Sequence, residues 1–151
     1  MTQTPAETDL YQLVYTSRAD VPFRDDALLN LLKRARRYNA AKGITGVLMV
    51  HGDLFAQCLE GPKAEVEELF GRIEGDGRHY GVTVLLGQNV PERTFGEWSM
   101  GCTRLTESET LRLSTARWEA LEQQHSGAGA FSPGFVLLET LWEEHRQTAA
   151  A

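Results

Sequence analysis

Residues 44–61 read ITGVLMVHGDLFAQCLEG. Two apolar runs, 44–50 and 54–60, flank His51-Gly52-Asp53. Glycine and aspartate between two strand-like runs signal a tight hairpin turn. The second arm has a polar residue at its centre. Gln57 stands among Leu54, Phe55, Ala56, Cys58 and Leu59, and its amide carries two donors and an acceptor. Buried without partners, such a group costs roughly 1–3 kcal/mol. The rest of the chain, or a ligand, has to satisfy it.

Upstream, LYQLVYT (10–16) is rich in β-formers, and Tyr11, Leu13 and Tyr15 share a face by the period of two. SRADVPF reads as a loop. Residues 24–41 read as a helix, with Asp25 and Asp26 suiting its N-terminal dipole and Lys42-Gly43 its end. Leu28, Leu32, Ala35 and Asn39 fall on one helical stripe, so Asn39 points to the core side, where a polar group is unexpected. Downstream, Gly61-Pro62 opens a second helix whose buried stripe is Val66, Leu69, Phe70 and Ile73. Residues 74–81 break it, 82–90 form a fourth strand, 91–97 a loop, and WSMGCTRL (98–105) a fifth strand.

The order β-α-β-β-α-β-β predicts an α+β, ferredoxin-like fold. Its five-stranded mixed sheet has strands one and three as central neighbours and two helices over one face. Pattern alone does not place the fifth strand. Residues 1–105 read as one domain and 106–151 as a two-helix extension. Thr106-Glu107-Ser108-Glu109 is a capping box opening a helix to about Gln124. HSGAGA (125–130) is a linker, and Ser132-Pro133 starts a last helix with Phe135, Leu138, Leu141, Trp142 and His145 on one side.

Composition removes several function classes. The chain has 151 residues and 42% hydrophobic content, enough for a packed core. A net charge of −6, from 15 basic and 21 acidic residues, argues against nucleic-acid binding by phosphate neutralisation. No apolar stretch approaches the ~18 residues of a membrane span. The polar start, MTQTPAETD, does not read as a secretory signal. Cys58 and Cys102 lack metal or redox spacing and read as reduced thiols of a cytoplasmic protein.

Tyr15, Asn39 and Gln57 are three polar groups expected at one helix–sheet interface. They either satisfy one another with backbone and water, or they line a pocket for a planar polar ring. Asp76, Arg78 and His79 cluster after the second helix, as a solvated turn or as one rim of that pocket. Trp98 and Met100 read first as core residues, although a methionine repacks easily. No Gly-rich phosphate loop is present, so phosphates would lie near the surface against arginines such as Arg34 or Arg36.

LVYTSRA (13–19), RRYNAAKGITGVLMVHGDLFAQCLEG (36–61), VEELFGRIEGDGRHYGV (66–82) and RTFGEWSMG (93–101) together resemble the BLUF family, flavin-binding blue-light sensor domains. The resemblance covers about residues 10–105, and NxxxGITG followed by FxQxLEG and DxRH is its most specific part. It implies flavin, as FAD with FMN or riboflavin still open, lying between the two helices. Tyr15 matches the photoactive tyrosine, Gln57 the switching glutamine, and Asn39 the residue bonding the ring's pyrimidine edge. Arg78, His79 and Asp76 match cofactor-contacting or supporting positions, as do Leu32 and Ala35 on the first helix. Trp98 and Met100 match the segment that relays the signal. Many members carry Ser at position 35 and Asn or His at 38; Ala35 and Tyr38 depart from that and bear on tuning and dark recovery.

The resemblance also implies a mechanism. Light drives an electron, then a proton, from Tyr15 to the flavin; the pair recombines and leaves Gln57 rotated or tautomerised, with red-shifted absorption. No flavin bond changes, so the chain reads as a sensor and not an enzyme. Output then goes to a downstream protein or a homo-oligomer contact, with Trp118, Leu121, Leu138, Leu141 and Trp142 as candidates for that contact or for packing on the open face of the sheet. A flavin-dependent enzyme and a flavin-free interaction module on the same fold remain as alternatives.

Overall fold

A computed structural model describes residues 9–22, 24–119, 121–122 and 130–149. Its elements are β1 (Leu10–Ala19), α1 (Asp25–Lys42), β2 (Thr45–His51), β3 (Leu54–Pro62), α2 (Lys63–Glu74), β4 (His79–Asn89) and β5 (Gly101–Arg104). After them come α3 (Glu107–Thr115), β6 (Leu121–Glu122), β7 (Ala130–Phe131) and α4 (Pro133–Ala149). The chain divides into two compact units, Met1–Cys102 and Thr103–Ala151.

The first unit carries the expected α+β architecture. Its sheet has the order β4-β1-β3-β2-β5, so β1 and β3 are neighbours. They run antiparallel, as do β1 with β4 and β2 with β3. The hairpin turns between His51 and Leu54. Gly52 has φ 60 and no described non-glycine residue has positive φ, so only the first turn residue is left-handed. That is the signature of a type II′ turn, whose twist matches its strands. Two acidic residues open α1, and Gly43 at φ 69 closes it, donating its N–H to the Asn39 carbonyl.

One face of the sheet forms the core with α1 and α2, built around Leu13, Tyr15, Leu32, Leu48, Leu59 and Val66. Alternation puts Gln12, Val14, Cys58 and Glu60 on the other face, and all four are buried. Burial pushes the Cys58 thiol far above its ordinary range, helped by the neighbouring Glu60 charge, so it is an inert thiol.

The boundaries differ from expectation at four element ends. β1 continues to Ala19 and β4 begins at His79, where 17–23 and 74–81 read as loop and break. These ends carry no apolar pattern; Ala19 pairs with His79 through the backbone ladder. The fifth strand starts at Gly101, not Trp98. The Ser99 and Met100 carbonyls are taken by the Asn39 amide and the Arg36 guanidinium. Helix α3 ends at Thr115 and not near Gln124. Ser114 and Thr115 return their hydroxyls to the Thr110 and Leu111 carbonyls, a competition that weakens a helix end. The two-residue β6–β7 pairing that follows was not expected. The expected linker at 125–130 lies mostly outside the described residues.

In the second unit, the capping box is present. Glu109 N donates to Thr106 Oγ1 at 3.1 Å and Thr106 N to Glu109 Oε1 at 2.9 Å. His145 on α4 places Nε2 2.9 Å from both carboxylate oxygens of Glu109. The capping bond and His145 hold the Glu109 carboxyl below its usual range. Trp118, Leu138, Leu141 and Trp142 are all buried, so they do not form an exposed contact face. The Leu121 side chain lies outside the described residues.

Candidate functional site

Cross-strand register builds the centre of the site. Tyr15 and Gln57 are direct partners in the β1–β3 ladder, so their side chains leave the sheet together on the helix-covered face. The Tyr15 hydroxyl donates to Gln57 Oε1. Burial pushes the phenol well above its ordinary pKa range, so it holds its proton and acts as donor. Phe55 stands edge-on to Tyr15 at 6.0 Å, and Phe70 tilts against it at 5.2 Å between ring centroids.

Among the described residues, the amide end of Gln57 has one partner, the Met100 sulfur, at 3.5 Å from Nε2. A thioether is a weak acceptor, and the amide has a second N–H. Asn39 reaches the same region from α1. Its Nδ2 donates to the Ser99 carbonyl at 2.7 Å, and no described residue bonds its Oδ1. Both amides thus keep capacity for something else.

That capacity borders a cavity of about 730 Å³, within the roughly 300–1,000 Å³ of small-molecule sites. It lies on the sheet between α1 and α2. Tyr15, Gln57, Asn39 and Leu48 line its inner side, Ala35 and Leu31 one flank, and Leu69 and Ile73 the other. Asp76, Arg78 and His79 do reach its wall. Arg78 is fixed by Asp76, with Nη2 on one carboxylate oxygen at 2.5 Å and Nε near both. The Arg78 bonds hold the Asp76 carboxyl down at about 2.

His79 is committed at both ring nitrogens. Nδ1 lies 2.6 Å from Ser17 Oγ and Nε2 lies 2.6 Å from the Ile73 carbonyl. The carbonyl can only accept, so Nε2 carries hydrogen. His79 therefore offers a ligand its ring face and not a free nitrogen. Ser17, two residues after Tyr15 on the same strand face, is the partner that period-two reading could have flagged.

Three predicted residues are not in the wall. Leu32 is buried in the core cluster beside it. Trp98 meets β2 by accepting from Gly46 N at 2.9 Å. Met100 lies in the core cluster that also holds the wall residues Tyr15 and Leu48, and its sulfur accepts from Gln57. Of the two expected phosphate arginines, Arg34 lines the cavity, but Arg36 donates to the Met100 carbonyl at 2.9 Å. Arg72 of α2, which sequence reading passed over, takes the second place in the wall, with its guanidinium 5.2 Å from the Tyr38 ring centre. The Tyr38 hydroxyl is buried without a partner among the described residues.

A planar heterocycle with apolar faces and one edge of alternating donors and acceptors fits this donor set. Its faces suit the leucines, Ile73 and Ala35; its polar edge suits Asn39 Oδ1 and the second N–H of Gln57. The family comparison supplies the class of protein, a photosensory flavin domain. Residues 10–101 match the family of sensors of blue-light using FAD, the BLUF family, and the chain belongs to it. It is a blue-light photoreceptor of a flavin-binding family.

Among its relatives, a photoactivated adenylate cyclase subunit beta of Euglena gracilis is 39% identical over 95 residues, 62% of this chain and 11% of that protein. The blue light- and temperature-regulated antirepressor BluF of Escherichia coli (strain K12) is 36% identical over 93 residues, 60% of this chain and 23% of that protein. This chain thus spans less than a quarter of either relative. The dark-state structure of BlrB, a BLUF protein, superposes with a TM-score of 0.60 at 32% identity, covering 70% of this chain and 80% of that one.

Proposed function

We propose that this chain senses blue light with flavin held between α1 and α2, Tyr15 serving as electron donor and Gln57 as the switching amide. The observation that supports it is the Tyr15–Gln57 hydrogen bond at the cavity wall. Bound there, flavin supplies blue absorption and, once excited, a strong electron acceptor. The chain's own part follows from its bonds. Oxidised, the phenol becomes strongly acidic, and the acceptor already in place is Gln57 Oε1. A proton leaving by way of that oxygen removes the reason for the amide's dark orientation, and the electron and proton then return to Tyr15, restoring the phenol. Rotation exchanges the ends of Gln57 that face Tyr15 and Met100, while tautomerisation changes their donor and acceptor character in place; either would alter the amide's bond to the cofactor and account for a red-shifted state.

Asn39, Gln57, Ala35, Arg78 and His79 would hold the ring, with Asp76 fixing Arg78 and Leu32 backing α1. Arg34 and Arg72 would face the phosphates, which favours FAD or FMN over riboflavin. We read residues 1–105 as the sensor domain and 106–151 as its extension, in a cytoplasmic protein that signals to a partner protein or a second copy. No helix among the described residues is long and apolar enough to cross a membrane. An enzymatic reading has less support. His79 and Asp76, the wall groups best placed for acid–base work, are committed to Ser17, Ile73 and Arg78.

The test is an absorption spectrum of the purified protein in darkness and under blue light. A yellow protein whose bands move reversibly to the red without substrate is expected. A yellow, light-inert protein that turns over a substrate would replace the reading with an enzyme. Failure to bind added flavin would leave an interaction module.

A further inference from the structure

On the sheet face opposite the cavity lies a carboxylate with no exposure to solvent, Glu60. Burying a carboxylate costs several kcal/mol unless hydrogen bonds replace its water. Glu60 has them. Oε2 accepts from Gln12 Nε2 at 2.7 Å and Thr94 N at 2.9 Å, and Oε1 accepts from Phe95 N at 2.7 Å. Gln88 of β4 in turn donates to Gln12 Oε1 at 2.8 Å. Beside it, Arg93 donates to the Gly43 carbonyl at 2.7 Å, Thr45 Oγ1 at 3.0 Å and the Glu60 carbonyl at 3.3 Å. Residues 93–95 are therefore tied to the sheet by a charge at each end of the linkage.

A few residues on, the same segment is held differently. The Trp98, Ser99 and Met100 carbonyls accept from Gly46 N, Asn39 Nδ2 and Arg36 Nε. The Met100 sulfur accepts from Gln57. This last bond is the weak one, and it depends on which way the Gln57 amide points. Turned, the amide would set its oxygen against the sulfur and push on Met100. A free loop would absorb that push in residues 91–97. With 93–95 fixed, the displacement has one way to go, forward into Gly101–Arg104.

We propose that Glu60 and Arg93 are positioning residues for signal output: they anchor one end of the 93–100 strap so that reorientation of Gln57 moves β5. This rests on the reading of Gln57 as the switching amide. Neither residue lines the cavity, so neither acts on the light reaction itself.

The experiment uses the full, flavin-loaded chain as wild type, Glu60→Gln and Arg93→Ala. Absorption reads the light reaction; amide exchange, dark against lit, reads the strap and β5. Both variants should keep the red shift. In Glu60→Gln an amide nitrogen replaces one carboxylate oxygen, so dark exchange at Thr94 and Phe95 should rise at least about tenfold. In both variants the lit-minus-dark difference at residues 101–104 should collapse. Arg93→Ala leaves the Glu60 carboxylate with its own three hydrogen bonds and decides the matter if Glu60→Gln does not fold. A wild-type difference at 101–104 in Arg93→Ala overturns the proposal. So does loss of the red shift in that variant, because the anchor would then be acting on the pocket. Absence of the shift in wild type would instead sink the Gln57 reading, and the anchor with it.

Discussion

Tyr15 and Gln57 face each other directly across the β1–β3 ladder, and the buried phenol has the amide oxygen of Gln57 as its acceptor. Two residues 42 positions apart thereby form one hydrogen-bonded unit fixed by sheet register. A one-residue slip of either strand would send its side chain to the other face and part the pair. The pair can be taken apart from either side.

Gln57→Leu keeps the cavity's apolar lining and Asn39, so flavin should remain bound. It removes the acceptor of the Tyr15 hydroxyl and the donor to Met100. The red-shifted state should vanish, and the protein should lose about 1–3 kcal/mol of stability from the stranded phenol. A normal light-induced shift in this variant would refute the switching role.

Tyr15→Phe keeps the ring that packs on Phe55 and Phe70 and removes the proton that Gln57 receives. Flavin should bind, but no red-shifted state should accumulate under illumination. Time-resolved absorption would check this. A complete reversible cycle would move the donor role elsewhere.

Met100→Ala separates the switch from its readout. The Tyr15–Gln57 bond is untouched, so the red shift should persist. Light-dependent changes in amide exchange at residues 98–104 should weaken, because the sulfur contact to Nε2 is gone. Equal changes in wild type and variant would show that the backbone contacts through Asn39 and Arg36 carry the signal without it.

Much of this arrangement was legible in the sequence because local pattern and fold agreed. The hairpin around Gly52, the stripe bearing Asn39 and the alternation bearing Tyr15 and Gln57 all point to one face. What was missed lacks local pattern. Glu60 accepts from backbone N–H groups 34 and 35 residues away, and no spacing rule encodes that. The 98–100 segment reads as part of a strand running through WSMGCTRL, yet side-chain donors take two of its carbonyls. Arg72 was passed over because an exposed arginine in a helix carries no signal until the facing helix is known.

The Asp76–Arg78 turn gives a pH dependence with a definite sign. Asp76 is held at about 2 against an ordinary 3.8, so its folded form binds a proton less readily than its unfolded form. The contribution is complete above the ordinary value and is lost as pH falls toward about 2. The pair is surface-exposed, so the effect is at most about 1 kcal/mol. Asp76→Asn should therefore be less stable than wild type near neutrality and converge with it in strong acid. Parallel acid-unfolding curves that never converge would rule the pair out as the cause.

Tyr38 is the residue at which this chain departs from the Asn or His that the family resemblance leads one to expect. Its ring has the Arg72 guanidinium at 5.2 Å and the Lys42 ammonium at 6.0 Å from its centre, contacts that do not involve the hydroxyl. The hydroxyl itself is buried and has no partner among the described residues, in a side chain that lines the cavity. An unpaired buried hydroxyl is a cost to the protein alone, and a benefit once a cofactor offers an acceptor. Tyr38→Phe should thus have opposite effects on the two forms. The flavin-free protein should gain about 1 kcal/mol, seen as a Tm higher by about 2–4 °C. Flavin affinity should fall by up to about tenfold, seen as a smaller rise in Tm on adding flavin and a weaker Kd by fluorescence titration. Electron donation from Tyr15 leaves Tyr38 aside, so the red shift itself should remain. Unchanged affinity, or a flavin-free protein made less stable, would show that the Tyr38 hydroxyl is not a cofactor contact.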